Sequence, residues 1–338
     1  MLFELIDSNG PVQFSAEEAV HAIRTDGLFR TIHLDANLTL DLAKIGAGRL
    51  DPTRGTSSEL LQLAVRTDSA IDCDLAIAEM SEGALRAAGD RTRRSSLQRD
   101  VPLGVRAVER SLMLRVGSVS VGHLGRREVD SYSRVHLAFY THLLKIEQMA
   151  RTRLGKSHSV LNLSEYLTWA DTVARNVSAH CLQVAFDVFG GESRAARLLS
   201  IASSKPQKSR AWNAAWDLVH AFAMHYETTR PIGRTMKRAF LATRDQALSY
   251  VARRCVVAAF VRASPIGDVT LAGFRIDQPF LIHQQNEVRL MLERTFESQR
   301  RRIDQADSAS PGEMARLRDQ LEAELGILAF NSETPDAL

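Results

Sequence analysis

The sequence predicts an α/β fold in which a parallel sheet is flanked by helices, with a large all-helical insertion and a helical C-terminal tail. An apolar run at residues 29–34 ends at Asp35 and passes directly into a helical pattern of leucines. Residues 238–248 repeat this plan, with Asp245 following the second apolar run. Acids that follow the strands of a parallel sheet lie at its carboxyl edge, where such folds bind their ligands.

The distribution of these patterns divides the chain into three predicted parts. Residues 1–90 and 205–262 form the α/β core, residues 91–204 a mostly helical insertion, and residues 263–338 a helical tail. The insertion is predicted from wide apolar stripes, which are typical of packed helices. The tail contains two charged helical patterns, and we expect it to brace the core.

The composition limits the classes of protein to which this chain can belong. The chain has 338 residues, 45% of them hydrophobic and 25% charged, as in ordinary globular proteins. Its 43 basic and 40 acidic side chains nearly balance, so the net charge of +3 alone does not indicate a nucleic-acid partner. The cysteines Cys73, Cys181 and Cys255 lie far apart among apolar neighbours, which predicts buried thiols rather than disulfides or a zinc site. Without a secretory pattern or a membrane-spanning apolar run, we expect a cytoplasmic protein with no membrane contact.

Four acids are candidate metal ligands: Asp35, Glu79, Asp217 and Asp245. A carboxylate is costly to bury without a counter-ion, so an acid after a central strand favours a cation as its partner. Asp217 interrupts an apolar helix, and Asn213 and His220 fall on the same helical face. Glu82 competes with Glu79 for the second position.

These acids, in this order, resemble the pattern of the PIN-like nucleases. In that family an Asp-x-Asn closes the first strand, a glutamate stands on an early helix, an aspartate lies within a later helix, and a Thr-x-Asp closes a later strand. The matching residues here are Asp35 with Asn37, Glu79, Asp217, and Thr243 with Asp245. The resemblance covers residues 28–90 and 210–260.

The resemblance implies a PIN-like sheet and a metal-dependent endoribonuclease whose four carboxylates hold Mg²⁺ or Mn²⁺. Carboxylate oxygens suit these ions, which activate water and stabilise the leaving oxygen of a phosphodiester. Asn37, Thr243 and Asn213 would orient the ligands or the phosphate. The resemblance also implies RNA as the partner, with DNA not excluded, and a toxin or defence effector restrained by an inhibitory protein. The sequence leaves open whether the chain forms a homo-oligomer.

The most basic segment lies between Arg86 and Arg115. Guanidinium groups suit bidentate phosphate contacts, so we expect this segment to follow a phosphate backbone. The predicted nucleic-acid ligands are Arg91, Arg93, Arg94 and, beside Asp245, Arg244. The alternative interpretation is a helix face that meets only water, as charge runs usually do.

The sequence leaves open purely structural roles for the candidate acids, and it also leaves open two other functions. Asp35 and Asp245 suit helix N-caps, since aspartate is among the preferred residues there, and Glu79 suits an exposed helix. The second hypothesis is a non-catalytic helical interaction protein that acts through its middle helices and tail. Arg175 and His180 also fit the Arg-x4-His motif of the HEPN ribonucleases, which implies metal-independent cleavage.

Overall fold

The structure is a computed structural model that describes residues 4–7, 29–53, 55–153, 155–199, 201, 208–228, 237–263, 267–274, 284–305 and 307–327. The chain divides into two compact units. The first comprises Met1–Tyr132 and Val219–Val257, and the second Ser133–Leu218 and Ala258–Leu338. Helices account for most of the described residues.

The first unit contains a five-stranded sheet. Its strands are β1 (Glu4–Asp7), β2 (Phe29–Leu34), β3 (Ala70–Asp72), β4 (Val119–Ser120) and β5 (Lys237–Thr243). They lie in the order β1-β5-β2-β3-β4, with β2 to β5 parallel and β1 antiparallel to β5. The predicted α/β class with a parallel sheet is therefore confirmed, and the two strands that lead into Asp35 and Asp245 are direct neighbours.

The described helices include one 3-10 helix, Lys156–His158. The α-helices are α1 (Ala36–Gly46), α2 (Thr56–Arg66), α3 (Asp74–Ala88), α4 (Arg93–Leu112), α5 (Arg126–Thr152), α6 (Ser159–Thr172), α7 (Ala179–Phe189), α8 (Ser193–Leu198), α9 (Lys208–Thr228), α10 (Gln246–Arg254), α11 (Gln285–Asp304) and α12 (Pro311–Glu324). The strands β6 (Cys255–Ala263) and β7 (Gly267–Phe274) pair in a separate two-stranded sheet.

Both faces of the central strands are buried, as expected for parallel strands covered by helices. Alternate residues of β5 point to opposite faces of the sheet. Phe240 packs in a cluster with β2, α1, α2 and α4, whereas Leu241 packs in a second cluster with Met224 of α9 and Leu248 of α10. The continuous apolar runs of β2 and β5 follow from this burial, because each side chain needs an apolar neighbour.

A close crossing of two helices fixes α4 against α1. A Cβ atom on Gly46 would lie 1.9 Å from the carbonyl oxygen of Asp100, and one on Gly104 would lie 1.9 Å from the carbonyl oxygen of Leu42. Backbone therefore meets backbone at this crossing, and only glycine fits at either position.

The second unit has an aromatic core. Tyr140, Tyr166 and Trp216 are almost fully buried. Buried hydroxyls of this core have polar partners: the Tyr166 hydroxyl lies 2.8 Å from Nδ1 of His142, and the Tyr140 hydroxyl donates to a carboxylate oxygen of Glu322 at 2.9 Å. The second of these bonds joins α5 to α12, so the tail does brace other helices of its unit.

The two units divide the chain at positions other than the predicted domain boundaries. Helix α4 and strand β4 fall within residues 91–204, predicted as the insertion, yet they belong to the first unit. Helix α4 packs on α1, and β4 extends the sheet beside β3. The predicted tail and residues 133–204 of the predicted insertion share the second unit.

Two of the cysteines have the predicted environment. Cys73 and Cys181 are buried free thiols. Burial raises the pKa of both, and that of Cys181 reaches about 12, so neither is a reactive thiolate at neutral pH. The side chain of Cys255 lies outside the described residues.

Candidate active site

Asp35 is the first residue after β2, and it caps helix α1. Its Oδ1 accepts a 2.7 Å hydrogen bond from the Leu38 amide. Its Oδ2 accepts bonds from the Thr243 hydroxyl at 2.7 Å and from the Arg244 amide at 3.3 Å. Only 4% of Asp35 is exposed, and these donors offset the cost of burying its carboxylate. The capping role is present, and the role as a metal ligand stays a prediction.

Thr243 and Asp245 lie beside Asp35 because β5 ends next to β2, with Ala242 opposite Leu34. The buried Thr243 hydroxyl donates to Asp35 and accepts a 2.9 Å bond from the Asp245 amide. Oδ1 of Asp245 accepts bonds of 2.7 and 3.0 Å from two amides in the first turn of α10. The parallel sheet thus brings two of the four predicted acids to one edge, where each also caps a helix.

Arg244 lies between these acids in sequence, and 37% of its side chain is exposed. Its Nη1 is 2.9 Å from Oδ2 of Asp41 on α1, and its Nη2 donates to the carbonyl oxygen of Asn37 at 3.4 Å. The Asn37 side chain points to an exposed surface position. Arg244 therefore fastens the end of β5 to the start of α1, and its guanidinium forms an ion pair with Asp41.

Glu79 lies on α3 and contacts a buried histidine. Its Oε2 is 2.9 Å from Nε2 of His220 on α9, and His220 is only 1% exposed. Glu82, the competing candidate, lies 3.4 Å from Nη2 of Arg86, four residues later on the same helix. Glu79 thus has a buried partner that orients its carboxylate, and the choice between Glu79 and Glu82 as the site residue stays a prediction.

Asp217 and Asn213 belong to the second unit, whereas Asp35, Glu79 and Asp245 belong to the first. The boundary between the units passes through α9, between Leu218 and Val219. Asp217 is half-buried and Asn213 is exposed. Neither unit by itself therefore contains all four predicted acids.

Two further acids at the carboxyl edge escaped the sequence analysis. Asp72 ends β3, and its Oδ2 lies 3.8 Å from Nδ1 of His33 on β2. Asp74 begins α3 and accepts a 2.7 Å bond from the Ser120 hydroxyl of β4. The same signal was present, since Ala70–Asp72 is an apolar strand that ends at an acid. A strand of three residues is too short for periodicity to mark it.

The other predicted phosphate-binding arginines lie around the start of α4. Arg91 is exposed, and Arg93 and Arg94 are half-buried. Arg94 donates through Nη2 to the carbonyl oxygen of Leu124 at 3.0 Å, and so ties α4 to the loop that follows β4. Arg94 therefore has a structural contact, and a role in nucleic-acid binding stays a prediction for all three.

Arg175 and His180, the residues of the HEPN-like motif, have structural contacts in the second unit. Nη1 of Arg175 lies 2.9 Å from Asp307, and its Nη2 lies 2.5 Å from Glu313, so it joins the segment between α6 and α7 to the tail. His180 is 3% exposed, and its ring packs against Phe139 with the centroids 5.8 Å apart. These contacts explain both residues without a catalytic role.

The acids at the carboxyl edge suit Mg²⁺ or Mn²⁺ by their chemistry, since both ions prefer carboxylate oxygens. Within the described residues, no group of three or more His, Cys, Asp and Glu side chains is arranged to hold a metal ion. Magnesium in nucleotide-processing sites commonly takes one or two carboxylates and completes its shell with water and substrate phosphate. Asp35 and Asp245, from neighbouring strands, fit that more open kind of site.

Comparison of the chain with protein-family models, with curated proteins and with solved structures finds no match. Among the helices that the structure describes, none is both long enough and apolar enough to cross a membrane.

Proposed function

We propose that this protein is a metal-dependent endonuclease that hydrolyses RNA at the carboxyl edge of its parallel sheet. The observation that carries the proposal is the hydrogen-bonded series Asp35, Thr243 and Asp245, which places two acids from neighbouring strands at the ligand-binding edge of an α/β sheet. The order of acids along the chain, which resembles the PIN-like nucleases, supports the same function.

The side chains of the first unit have separate tasks in this proposal. Thr243 and the Arg244 amide hold the Asp35 carboxylate in one orientation, and His220 does the same for Glu79. A fixed carboxylate loses little entropy when it takes up a cation or directs a water. Arg244, whose guanidinium pairs with Asp41 on α1, is the cation that we expect to contact the scissile phosphate.

Asp35 and Asp245 are the residues that we expect to hold Mg²⁺ or Mn²⁺, and Glu79 is the third predicted acid of the first unit. When bound, such an ion supplies charge relief to the phosphate and an activated water. Asp217 remains the fourth predicted acid. RNA is proposed over DNA on the resemblance alone, so both substrates belong in the test.

The test is cleavage of labelled single-stranded RNA and DNA by the purified chain, with Mg²⁺, with Mn²⁺ and with EDTA. We expect cleavage of RNA only with metal. Asp35→Asn should lower the rate by at least about a hundredfold, because a neutral amide holds Mg²⁺ or Mn²⁺ less well than a carboxylate does. Asparagine is also a good N-cap, so the fold should persist by circular dichroism.

The matched control is Asp68→Asn. Asp68 is an exposed acid that precedes β3, at the opposite end of that strand from Asp72. Its replacement makes the same change in charge and should leave the rate unchanged. A second pair, Glu79→Gln and Glu82→Gln, separates the two candidate glutamates, and we expect only the first to lose activity. Metal-dependent cleavage that survives Asp35→Asn would contradict the proposal.

A further inference from the structure

A stripe of exposed side chains runs along α4 and onto the residue that ends it. It consists of Arg99, Leu103, Arg106, Arg110 and Met113. Their spacing of four, three, four and three residues puts them on one side of the helix. Arg99 has 70% of its side chain exposed, Leu103 is 42% exposed, and Met113 is 95% exposed. We call these five residues the arginine stripe.

Positive charge dominates this surface. Arg99 pairs with Asp100, whose pKa is lowered by that hydrogen bond. Arg110 donates through Nε to the carbonyl oxygen of Arg106 at 3.2 Å. Within the described part of the chain, no carboxylate forms an ion pair with Arg106 or Arg110. Two guanidinium groups one helical turn apart therefore face the solvent uncompensated.

The stripe begins at the same edge of the sheet as the candidate active site. Gln98 donates through Nε2 to the carbonyl oxygen of Gly122 at 3.1 Å, so the first half of α4 lies beside the loop that leaves the carboxyl end of β4. Asp35 follows β2 at the same edge of the parallel sheet. From Arg99 to Arg110 the stripe extends over about 17 Å, enough to contact a few nucleotides of one strand.

We propose that the arginine stripe binds the phosphate backbone of a single-stranded RNA that extends from the candidate active site. The inference rests on the proposed function for its catalytic part, and it names the substrate as a polynucleotide strand rather than a dinucleotide. Arginine suits this task because its planar guanidinium forms bidentate bonds to phosphate oxygens. A backbone contact of this kind carries no base specificity, so binding should depend little on sequence.

A membrane surface fits the same helix less well. A helix that lies in a membrane interface inserts a wide apolar face among the lipids. The apolar face of α4, which includes Leu97, Val101, Val105 and Val108, is already buried in the core of the first unit. Only Leu103 and Met113 remain as apolar side chains on the exposed stripe.

The experiment measures RNA binding without cleavage. Fluorescence anisotropy follows a labelled RNA of about 20 nucleotides, longer than a typical single-strand site, in EDTA and over a range of salt concentrations. The stripe variant carries Arg99→Gln, Arg106→Gln and Arg110→Gln. The matched control carries Arg289→Gln, Arg294→Gln and Arg300→Gln, which remove three exposed arginines from α11 and change the net charge equally.

We expect the stripe variant to bind RNA at least about tenfold more weakly at moderate salt and the salt slope to fall by about two, since each lost phosphate contact removes roughly 0.7 from it. The control variant should bind like the parent chain. Equal binding by the stripe variant and the control overturns the inference. If the stripe variant loses binding to phosphatidylserine vesicles and keeps its binding to RNA, the inference is overturned in favour of a membrane surface.

The outcome is separable from that of the proposed function because no metal and no cleavage are needed. If RNA binding requires the stripe but Asp35→Asn keeps full activity, the inference about the stripe is supported and the proposed active site is contradicted. If metal-dependent cleavage is lost in Asp35→Asn but the stripe variant binds RNA as before, the proposed active site is supported and the inference about the stripe is contradicted. Circular dichroism shows whether the triple variant remains folded. If it does not, the single variants Arg106→Gln and Arg110→Gln provide the same binding test.

Discussion

The Thr243 hydroxyl donates a 2.7 Å hydrogen bond to Oδ2 of Asp35, although 208 positions separate the two residues in sequence. The same hydroxyl accepts the Asp245 amide at 2.9 Å. One buried oxygen therefore links the ends of β2 and β5 and both acids that follow them. If these acids act together, Thr243 is the residue through which their positions depend on each other.

Replacement of Thr243 by valine should lower both stability and activity. Valine has nearly the same shape, but it leaves the buried Asp35 carboxylate without one donor and the Asp245 amide without its acceptor. An unsatisfied buried polar group costs about 1 to 3 kcal/mol in free energy of unfolding, which urea denaturation would measure. Thr243→Ser keeps the hydroxyl and is the matched control. A valine variant as stable as the serine variant would show that this hydrogen bond contributes nothing.

The crossing of α1 and α4 gives a prediction about stability alone. In Gly104→Ala, the new Cβ would lie 1.9 Å from the backbone oxygen of Leu42, so one helix must move. Overpacking of this kind lowers the free energy of unfolding by about 2 to 3 kcal/mol. Gly83→Ala on α3 is the control. No atom lies within 4 Å of its added Cβ, so it should stabilise the chain by about 0.5 to 1 kcal/mol.

The two alanine variants are best compared by thermal and urea unfolding under the same conditions. Both substitutions add one methyl group inside a helix, so helix propensity favours them equally. Opposite signs for Gly104 and Gly83 are the expected outcome. Similar effects at both positions would argue against a backbone contact between α1 and α4.

Because His142 is buried, we predict that acid destabilises the protein. Burial lowers its pKa from 6.5 to about 4, because a charged imidazole is costly to hold in the core. The unfolded chain binds this proton first, so stability is full above pH 6.5 and falls as the pH drops towards 4. The loss over that interval amounts to about 3 kcal/mol.

The measurement is the free energy of unfolding by urea as a function of pH, in the parent chain and in His142→Gln. The glutamine variant should lose this contribution to the slope between pH 6.5 and 4, whatever its stability at neutral pH. His158→Gln, at an exposed histidine, should keep the parent slope. A parent slope that persists in His142→Gln would assign the acid sensitivity to other groups.

The parts of the fold that the sequence predicted are those with a strong local signal. The apolar runs of β2 and β5 are long, each ends at an acid, and each is followed by a capped helix. Strands β3 and β4 lie within two strand-like runs of the sequence, residues 70–77 and 116–122, but they have only three and two residues, so period alone did not give their bounds. The inclusion of α4 in the first unit depends on the Gly46 and Gly104 crossing, which no periodicity reveals.

The same distinction applies to the candidate site. Asp35, Thr243 and Asp245 were predicted because strand ends mark them in the sequence, and the parallel sheet brings them together. The contact between Glu79 and His220 joins α3 to α9 and depends on tertiary packing alone. Asp72 and Asp74 were missed because their strand is short, although they lie at the same edge.

The Gly46 and Gly104 crossing also limits how this protein can evolve. It holds α1, the helix that Asp35 caps, against the helix that carries the arginine stripe, and at the crossing itself backbone meets backbone with no side chain that could adapt. A change of residue at either glycine would displace a whole helix, so selection for a different substrate must act on the arginines and acids themselves. In a mutational library, we therefore expect both positions to tolerate glycine alone, although neither touches RNA or metal in the proposed site.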